Sequence, residues 1–148
     1  AGVDGLIIVD LPYEESEFFY NKLKDIDLDL IRLISPTTPK KTIEKIVKFS
    51  SGFLYYVSFR GVTGAKLSNF KEVQDKVKYI KSKTKIPVVV GFGIKEGDIA
   101  QKMSKISDGV VVGSRLVDIV QQKNFRLNDS LKFLEKSLKT FKRDVRKK

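Results

Sequence analysis

Five short apolar runs rich in β-branched residues alternate along this chain with segments of helical periodicity. We predict strands at Gly5–Val9, Leu28–Ile34, Phe53–Ser58, Ile86–Val90 and Gly109–Val112. Each run is nearly continuous, which is typical of strands buried on both faces of a parallel sheet. Successive strands begin roughly 20–35 residues apart, which is the size of a βα unit.

Amphipathic helical patterns fill each interval between the strands and continue after the last one. We predict helices at Glu14–Asp25, Pro39–Phe49, Phe70–Ser82, Lys95–Ile106 and Ser114–Gln121, and a longer one that begins near Asn128. In the first helix, Phe18, Phe19 and Leu23 form the predicted apolar stripe. Thr38 is the expected N-cap of the second helix, because Pro39 suits its first position.

This order of elements predicts an α/β fold in which helices cover a parallel sheet. Two architectures are compatible with it: an open doubly wound sheet, and consecutive units of a (β/α)8 barrel. A complete barrel needs about 250 residues, so five strands in 148 residues make about five-eighths of one. We expect a single domain over residues 1–148, with a basic helix at residues 128–148.

The composition excludes several kinds of chemistry, because the chain contains neither Cys nor His. A thiolate nucleophile, a Ser-His-Asp triad and a metal held by Cys or His are therefore impossible within it. We expect no metal site. Any chemistry that the chain performs must therefore use carboxylates, Lys, Tyr, hydroxyls or backbone amides.

The net charge of +11 is concentrated at the C-terminus, where residues 132–148 carry eight basic and two acidic residues, a net +6. Such a tail suits nucleic acid, an anionic membrane or simply water. Lys outnumbers Arg 23 to 6, whereas base recognition favours Arg. We therefore expect a solvated helix and neither a nucleic-acid nor a membrane partner.

The N-terminus shows no basic segment ahead of an apolar one, so it does not resemble a signal peptide. No apolar run reaches the ~18 residues of a membrane span. The chain also opens almost directly on a strand and lacks an initial Met. We expect a cytoplasmic protein, and a sequence that is a piece of a longer one.

Ligands of both architectures lie at the carboxyl ends of the strands, where Gly clusters follow the last two strands. Gly91 and Gly93 allow close approach of backbone to a ligand. Gly113 and Ser114 open a helix, whose free N–H groups suit a phosphate. The alternative is that these are ordinary turn and cap glycines.

Three further residues are candidates from their positions. Asp10 is predicted to end the first buried strand, where an acid is costly without a partner. It is either a functional carboxylate or one that caps the next helix or pairs with a Lys. Tyr55 lies on the third strand, where its side chain belongs either to the core or to the wall of a pocket. Thr63 lies in the long loop between the third strand and its helix, which is either a lid or a surface loop.

Several segments together resemble one family, the tryptophan synthase α subunit, in order and spacing. They are AGVDGLIIVDLPYEE at residues 1–15, YYVS at 55–58, GVTGA at 61–65, GFGI at 91–94 and GS at 113–114. The resemblance implies a (β/α)8 barrel of which this chain is the part from about strand 4 to strand 8. It runs from Ala1 to about Gln121, and we expect it to continue through the last helix.

The resemblance also implies a function, the aldol cleavage of indole-3-glycerol phosphate to indole and glyceraldehyde 3-phosphate in tryptophan biosynthesis. It implies a lyase that works in a heterotetramer with a β subunit. That β subunit holds pyridoxal phosphate, and this subunit has no cofactor.

The resemblance assigns roles to individual positions of this chain. Phosphate binding falls to Gly64, Gly93, Gly113 and Ser114. Tyr55 lines the active site and Thr63 contacts the catalytic aspartate from the lid. The implied indole pocket consists of Val9, Leu33 and Val112. The face toward the β subunit includes Asp10 and Pro12.

The family's two catalytic carboxylates fall before Ala1, so the chain alone is expected to be inactive. Two other functions remain open at this stage. One is a non-catalytic phosphate-binding half-barrel that needs a partner fragment. The other is a nucleic-acid binder that uses the basic tail, for which no recognition motif is present.

Overall fold

The computed structural model describes residues 2–58, 70–91 and 97–121, in which five parallel strands form one sheet. The strands are β1 Gly5–Ile7, β2 Asp29–Ile34, β3 Leu54–Val57, β4 Val88–Gly91 and β5 Gly109–Val110. The helices are α1 Ser16–Lys24, α2 Lys40–Lys48, α3 Phe70–Lys81, α4 Gly97–Ser104 and α5 Ser114–Gln121. A 3-10 turn at Tyr13–Glu15 precedes α1. The predicted helix at residues 128–148 lies outside the described residues.

The strands lie side by side in chain order, β1-β2-β3-β4-β5, and every pairing is parallel. A doubly wound sheet reverses its order at a switch point, and none occurs among these five strands. Uninterrupted chain order is the arrangement of barrel strands. The predicted α/β fold of five consecutive βα units is confirmed, and the strand order favours the partial barrel.

The two faces of the sheet differ in burial, so the prediction that every strand is buried on both faces is wrong. One face packs under the helices, and its strand residues Ile34, Tyr56 and Val90 are at most 1% exposed. The other face carries Tyr55 and Val89 in register, and both are half-buried. In β3 the burial alternates residue by residue. Among the described residues, the helix side chains of the main core pack on the first face, and the apolar sequence does not reveal this difference.

The main core lies between the sheet and helices α2, α3 and α4. Its buried members are Ile34, Ile43, Ile46, Leu54, Tyr56, Val73, Val77, Ile80, Val88, Val90, Ala100 and Met103. A second cluster of Leu11, Leu23 and Leu30 lies under α1. Two clusters result because α1 packs on the β1–β2 end of the sheet.

The first βα unit departs from the prediction in two ways. Strand β1 ends at Ile7, since the chain then turns with Leu11 N–H donating to the Ile8 carbonyl at 3.5 Å. Asp10 lies in this turn and is exposed, so the idea that it ends a buried strand is wrong. Phe18 is 61% exposed and does not belong to the buried stripe of α1.

Helix α2 begins one residue later than predicted, and Thr38 does not cap it. Pro39 is the N-cap residue, and it makes no side-chain cap hydrogen bond. The Thr38 hydroxyl instead accepts a hydrogen bond from the Ser35 N–H at 3.0 Å. No side chain in the described part of the chain is therefore seen to accept from the first-turn amides of α2.

Asp108, just before β5, joins α3 to the last two strands. Its carboxylate accepts from the Val88 N–H at 2.9 Å and forms an ion pair with Lys81. Partial burial acts to raise the pKa of Asp108, but the bonds from Lys81 and Val88 outweigh it and hold the pKa below the ordinary value. The ionised form is thus favoured in the folded state.

We expect Asp108→Asn to destabilise the fold by about 1 kcal/mol or less near pH 7, because the ion pair is partly exposed and screened. A lowered folded-state pKa gives stability that is present above the unfolded carboxyl pKa of about 3.9 and is lost as the pH falls through the folded-state value. Urea unfolding of the full natural protein at pH 7 and at pH 3 checks this. A variant whose deficit stays the same at both pH values would contradict it.

Among the described strands β1 and β5 are the outer ones, and β1 and the segment after it expose apolar side chains. Ile7 is 45% and Val9 69% exposed, and β1 pairs only with β2 among the described residues. Open, apolar strand edges promote pairing between chains. We expect residues 1–148 in isolation to self-associate, and Ile7→Lys to reduce this. Light scattering measures both, and a cooperatively unfolding monomer would contradict the expectation.

Candidate functional site

All five strands point the same way, so their carboxyl ends lie at one rim of the sheet. The segments after these ends contain most of the predicted site residues. Within the described part of the chain they fall into two groups. One group lies beyond β1 and β2, and the other lies beyond β3, β4 and β5.

A pocket of roughly 350 Å³ opens beyond the ends of β1 and β2. Val9 and Leu33, both predicted for the indole pocket, line it. Val112 is not among the residues that line this pocket, and it packs instead against the main core. The structure therefore brings together two of the three predicted residues.

Tyr55 and Gly91 fit together on the open face of the sheet. A Cβ built on Gly91 would lie 2.2 Å from the Tyr55 hydroxyl oxygen and 2.5 Å from the ring carbon that bears it. Positive φ among the described glycines occurs only at Gly2 and Gly52, so backbone conformation does not require glycine at 91. The Tyr55 ring is what requires glycine at this position. The close contact at Gly91 is thus with Tyr55, and the approach of this backbone to a ligand stays a prediction.

Ser58 fastens the end of β3 to the end of β4. Its N–H and its hydroxyl both donate to the Gly91 carbonyl, at 3.0 and 2.8 Å. The side chain is 3% exposed. These two hydrogen bonds to one carbonyl hold the strand that carries Tyr55 in register with the strand that carries Gly91.

Gly113 and Ser114 begin α5 at the far end of the same rim. The Gly113 carbonyl accepts from the Val117 N–H at 3.2 Å, which starts the helix. A Cβ at Gly113 would meet nothing within 4 Å, and both residues are exposed. An anion therefore has open space at this helix N-terminus, where the dipole is positive.

The remaining predicted phosphate and lid residues, Thr63, Gly64 and Gly93, lie outside the described residues. Asp10 and Pro12 are exposed on the segment after β1. The Pro12 carbonyl accepts from the buried Ser16 hydroxyl at 3.1 Å, which fixes this segment to α1.

Arg32 is a residue of the rim that sequence reasoning missed. It interrupts the apolar strand β2, is 5% exposed and lines the same pocket as Val9. The sequence feature that could have identified it is an Arg with apolar neighbours on both sides in a predicted buried strand.

The described ranges contain no group of three or more Asp, Glu, His or Cys residues placed to hold a metal ion. They also contain no helix with the length and apolar character needed to cross a bilayer.

Comparison with known proteins gives one consistent result. The family model described as tryptophan synthase alpha chain matches residues 1–146. A tryptophan synthase alpha chain from Janthinobacterium sp. is 48% identical over 117 residues, which cover 79% of this chain and 44% of that relative.

Solved structures agree with the sequence match. The tryptophan synthase subunit alpha from Campylobacter jejuni is 39% identical with a TM-score of 0.78, covering 90% of this chain and 53% of that one. A Pyrococcus furiosus chain, from work on mutual activation of the tryptophan synthase α2β2 complex, is 32% identical with a TM-score of 0.76, covering 91% and 54%. The chain thus spans about half the length of these relatives.

Proposed function

Because the chain belongs to the tryptophan synthase alpha chain family, we propose that it forms the C-terminal part of a subunit that cleaves indole-3-glycerol phosphate. The products are indole and glyceraldehyde 3-phosphate, and the reaction serves tryptophan biosynthesis. The observation that carries the proposal is the family match over residues 1–146, on strands that lie in barrel order.

In this proposal the chain supplies the substrate's phosphate anchor. The open space at Gly113 and the first turn of α5 support this role, because free amides at a helix N-terminus bind anions without a side chain. Gly64 and Gly93 complete the proposed anchor.

The chain also supplies one wall for the indole moiety and two supporting groups. Val9 and Leu33 share a pocket that is partly apolar, and Val112 is the third proposed wall residue. Tyr55 and Thr63 orient the substrate and the catalytic aspartate. The proton transfers belong to two carboxylates that we propose to lie upstream of Ala1 in the complete barrel.

We propose that the complete subunit binds a β subunit through the Asp10–Pro12 segment. The exposure of Asp10 and Pro12 supports this role. Pyridoxal phosphate belongs to the β subunit, and this chain's own residues need no cofactor for the phosphate anchor.

The phosphate anchor gives the test of the proposal. In the full natural protein, glyceraldehyde 3-phosphate is expected to shift the amide resonances of Gly93, Gly113 and Ser114 together. Gly113→Val is expected to weaken binding several-fold or more, because its side chain enters space that is empty in the fold. Ser114→Ala removes one hydrogen bond to a charged acceptor, worth roughly 1.5–3 kcal/mol. Shifts confined to the basic residues after 131 would refute the anchor.

The control for this test is the stability of the variants. Since a side chain at Gly113 meets no protein atom within 4 Å, Gly113→Val should unfold at nearly the same urea concentration as the parent. A loss of binding without a loss of stability then reports on the anion site alone.

A further inference from the structure

The guanidinium of Arg32 is buried with most of its hydrogen-bonding capacity unused. Its Nη2 donates to the Leu11 carbonyl at 2.6 Å. Its Nε and Nη1 are buried and have no hydrogen-bond partner among the described residues. Arg32 itself is 5% exposed.

Burying a cation without an anion costs free energy, so an anion bound beside Arg32 would stabilise the fold. Burial lowers the pKa of Arg32 from its ordinary value, but a guanidinium stays protonated in proteins. None of the described residues that line the pocket is acidic, and Arg32 is the one charged residue among them. The missing charge is therefore negative.

The first turn of α2 lies on the same pocket. Thr38, Pro39 and Thr42 line it together with Arg32. Helix α2 is nine residues long, and no side chain among the described residues caps it, so within this part of the chain its positive dipole end is open to an anion. Arg32 and the N-terminus of α2, which both carry positive potential, thus lie on one cavity.

We propose that this pocket binds the oxyanion group of a small ligand, a carboxylate or a phosphate, between Arg32 and the N-terminus of α2. The site differs from the phosphate anchor at Gly113 and Ser114. Strands β2 and β5 are three strands apart in the sheet, about 14 Å at the usual strand spacing. Val9 and Leu33, proposed above as walls for the indole moiety, line the same pocket, so the oxyanion site adjoins the proposed indole site.

The test is a titration of the full natural protein with inorganic phosphate and, separately, with acetate, each against chloride at equal ionic strength. Saturable shifts of the Arg32 side-chain Nε–H and of the Lys40–Thr42 amides are expected with at least one probe. The stronger probe identifies the oxyanion class. If neither probe shifts these signals, the proposal is overturned.

Arg32→Met keeps an apolar stem in the strand and removes the charge. It is expected to weaken oxyanion binding at α2 by tenfold or more, while Lys48→Met, an equal charge change at an exposed position on the same helix, changes it less than twofold. Binding at α2 that survives Arg32→Met would refute the proposal. If Arg32→Met does not fold, the Nε–H titration of the parent protein decides alone.

The same spectra distinguish the two proposed anion sites. Gly113→Val is expected to abolish shifts at Ser114 and to leave those at Arg32 intact. If only the Arg32 signals fail to shift, this inference is overturned. If only the Gly113 and Ser114 signals fail to shift, the proposed phosphate anchor is overturned.

Discussion

Residues 1–148, incubated with indole-3-glycerol phosphate, are expected to release no indole. The cleavage needs groups that exchange protons near neutral pH. Tyr55 is a poor substitute, because an unperturbed Tyr titrates near 10, and a Thr hydroxyl such as that of Thr63 is not an acid–base group near neutral pH. By family resemblance the two carboxylates lie upstream, so adding a fragment that carries them is expected to restore turnover.

Indole release followed by a colorimetric assay measures this directly. The control is the same chain with Tyr55→Phe and, separately, Asp10→Asn, neither of which should change a background rate. Activity of the 148-residue chain that either substitution abolished would show that this part of the barrel holds its own acid–base group, and the assignment of the chemistry to upstream residues would be wrong.

Gly91→Ala is expected to destabilise the full natural protein by about 1–3 kcal/mol, the usual cost of overpacking, and to reduce lyase activity tenfold or more. The new methyl group would lie 2.2 Å from the Tyr55 hydroxyl oxygen, so the ring must leave its place. The loss of activity follows because Tyr55 is the proposed wall of the active site. Urea unfolding and steady-state assays measure the two effects.

Two controls make this prediction specific. Gly109→Ala adds the same methyl group on the neighbouring strand, where the nearest atom is Val89 Cγ2 at an ordinary 3.4 Å, and it should cost less than about 0.5 kcal/mol. In a Tyr55→Ala background, Gly91→Ala should cost far less than it does alone, because the clashing ring is gone. Additive effects of the two substitutions would show that Tyr55 is not the obstacle.

The positions of the strands and helices were largely predictable, because the signals that place them are local. A largely apolar run such as Leu28–Ile34 predicts a strand, and β2 follows it to within a residue. A stripe such as Val73, Val77 and Ile80 predicts a helix and the face it buries. The boundaries at β1 and α2 shifted because a turn and a proline cap were decided by hydrogen bonds rather than by hydrophobicity.

The functional site was predictable only where a strand end and a motif coincide. Gly113 and Ser114 were identified because a Gly-Ser pair opens a helix after a strand. Arg32 was missed, since nothing local distinguishes a buried Arg that faces a pocket from one that reaches solvent. Its significance comes from the neighbouring Leu11 carbonyl and from α2, which are brought together by folding.

The sequence by itself determined the βα repeat, the parallel sheet and the absence of Cys and His chemistry, because each depends on residue type and on spacing along the chain. The tertiary structure alone decided which sheet face is covered, why residue 91 is glycine and where a buried charge lacks a partner. These depend on atoms from strands that are distant in sequence, such as the Tyr55 ring over Gly91. Only the parallel pairing of β3 with β4 places those atoms in contact.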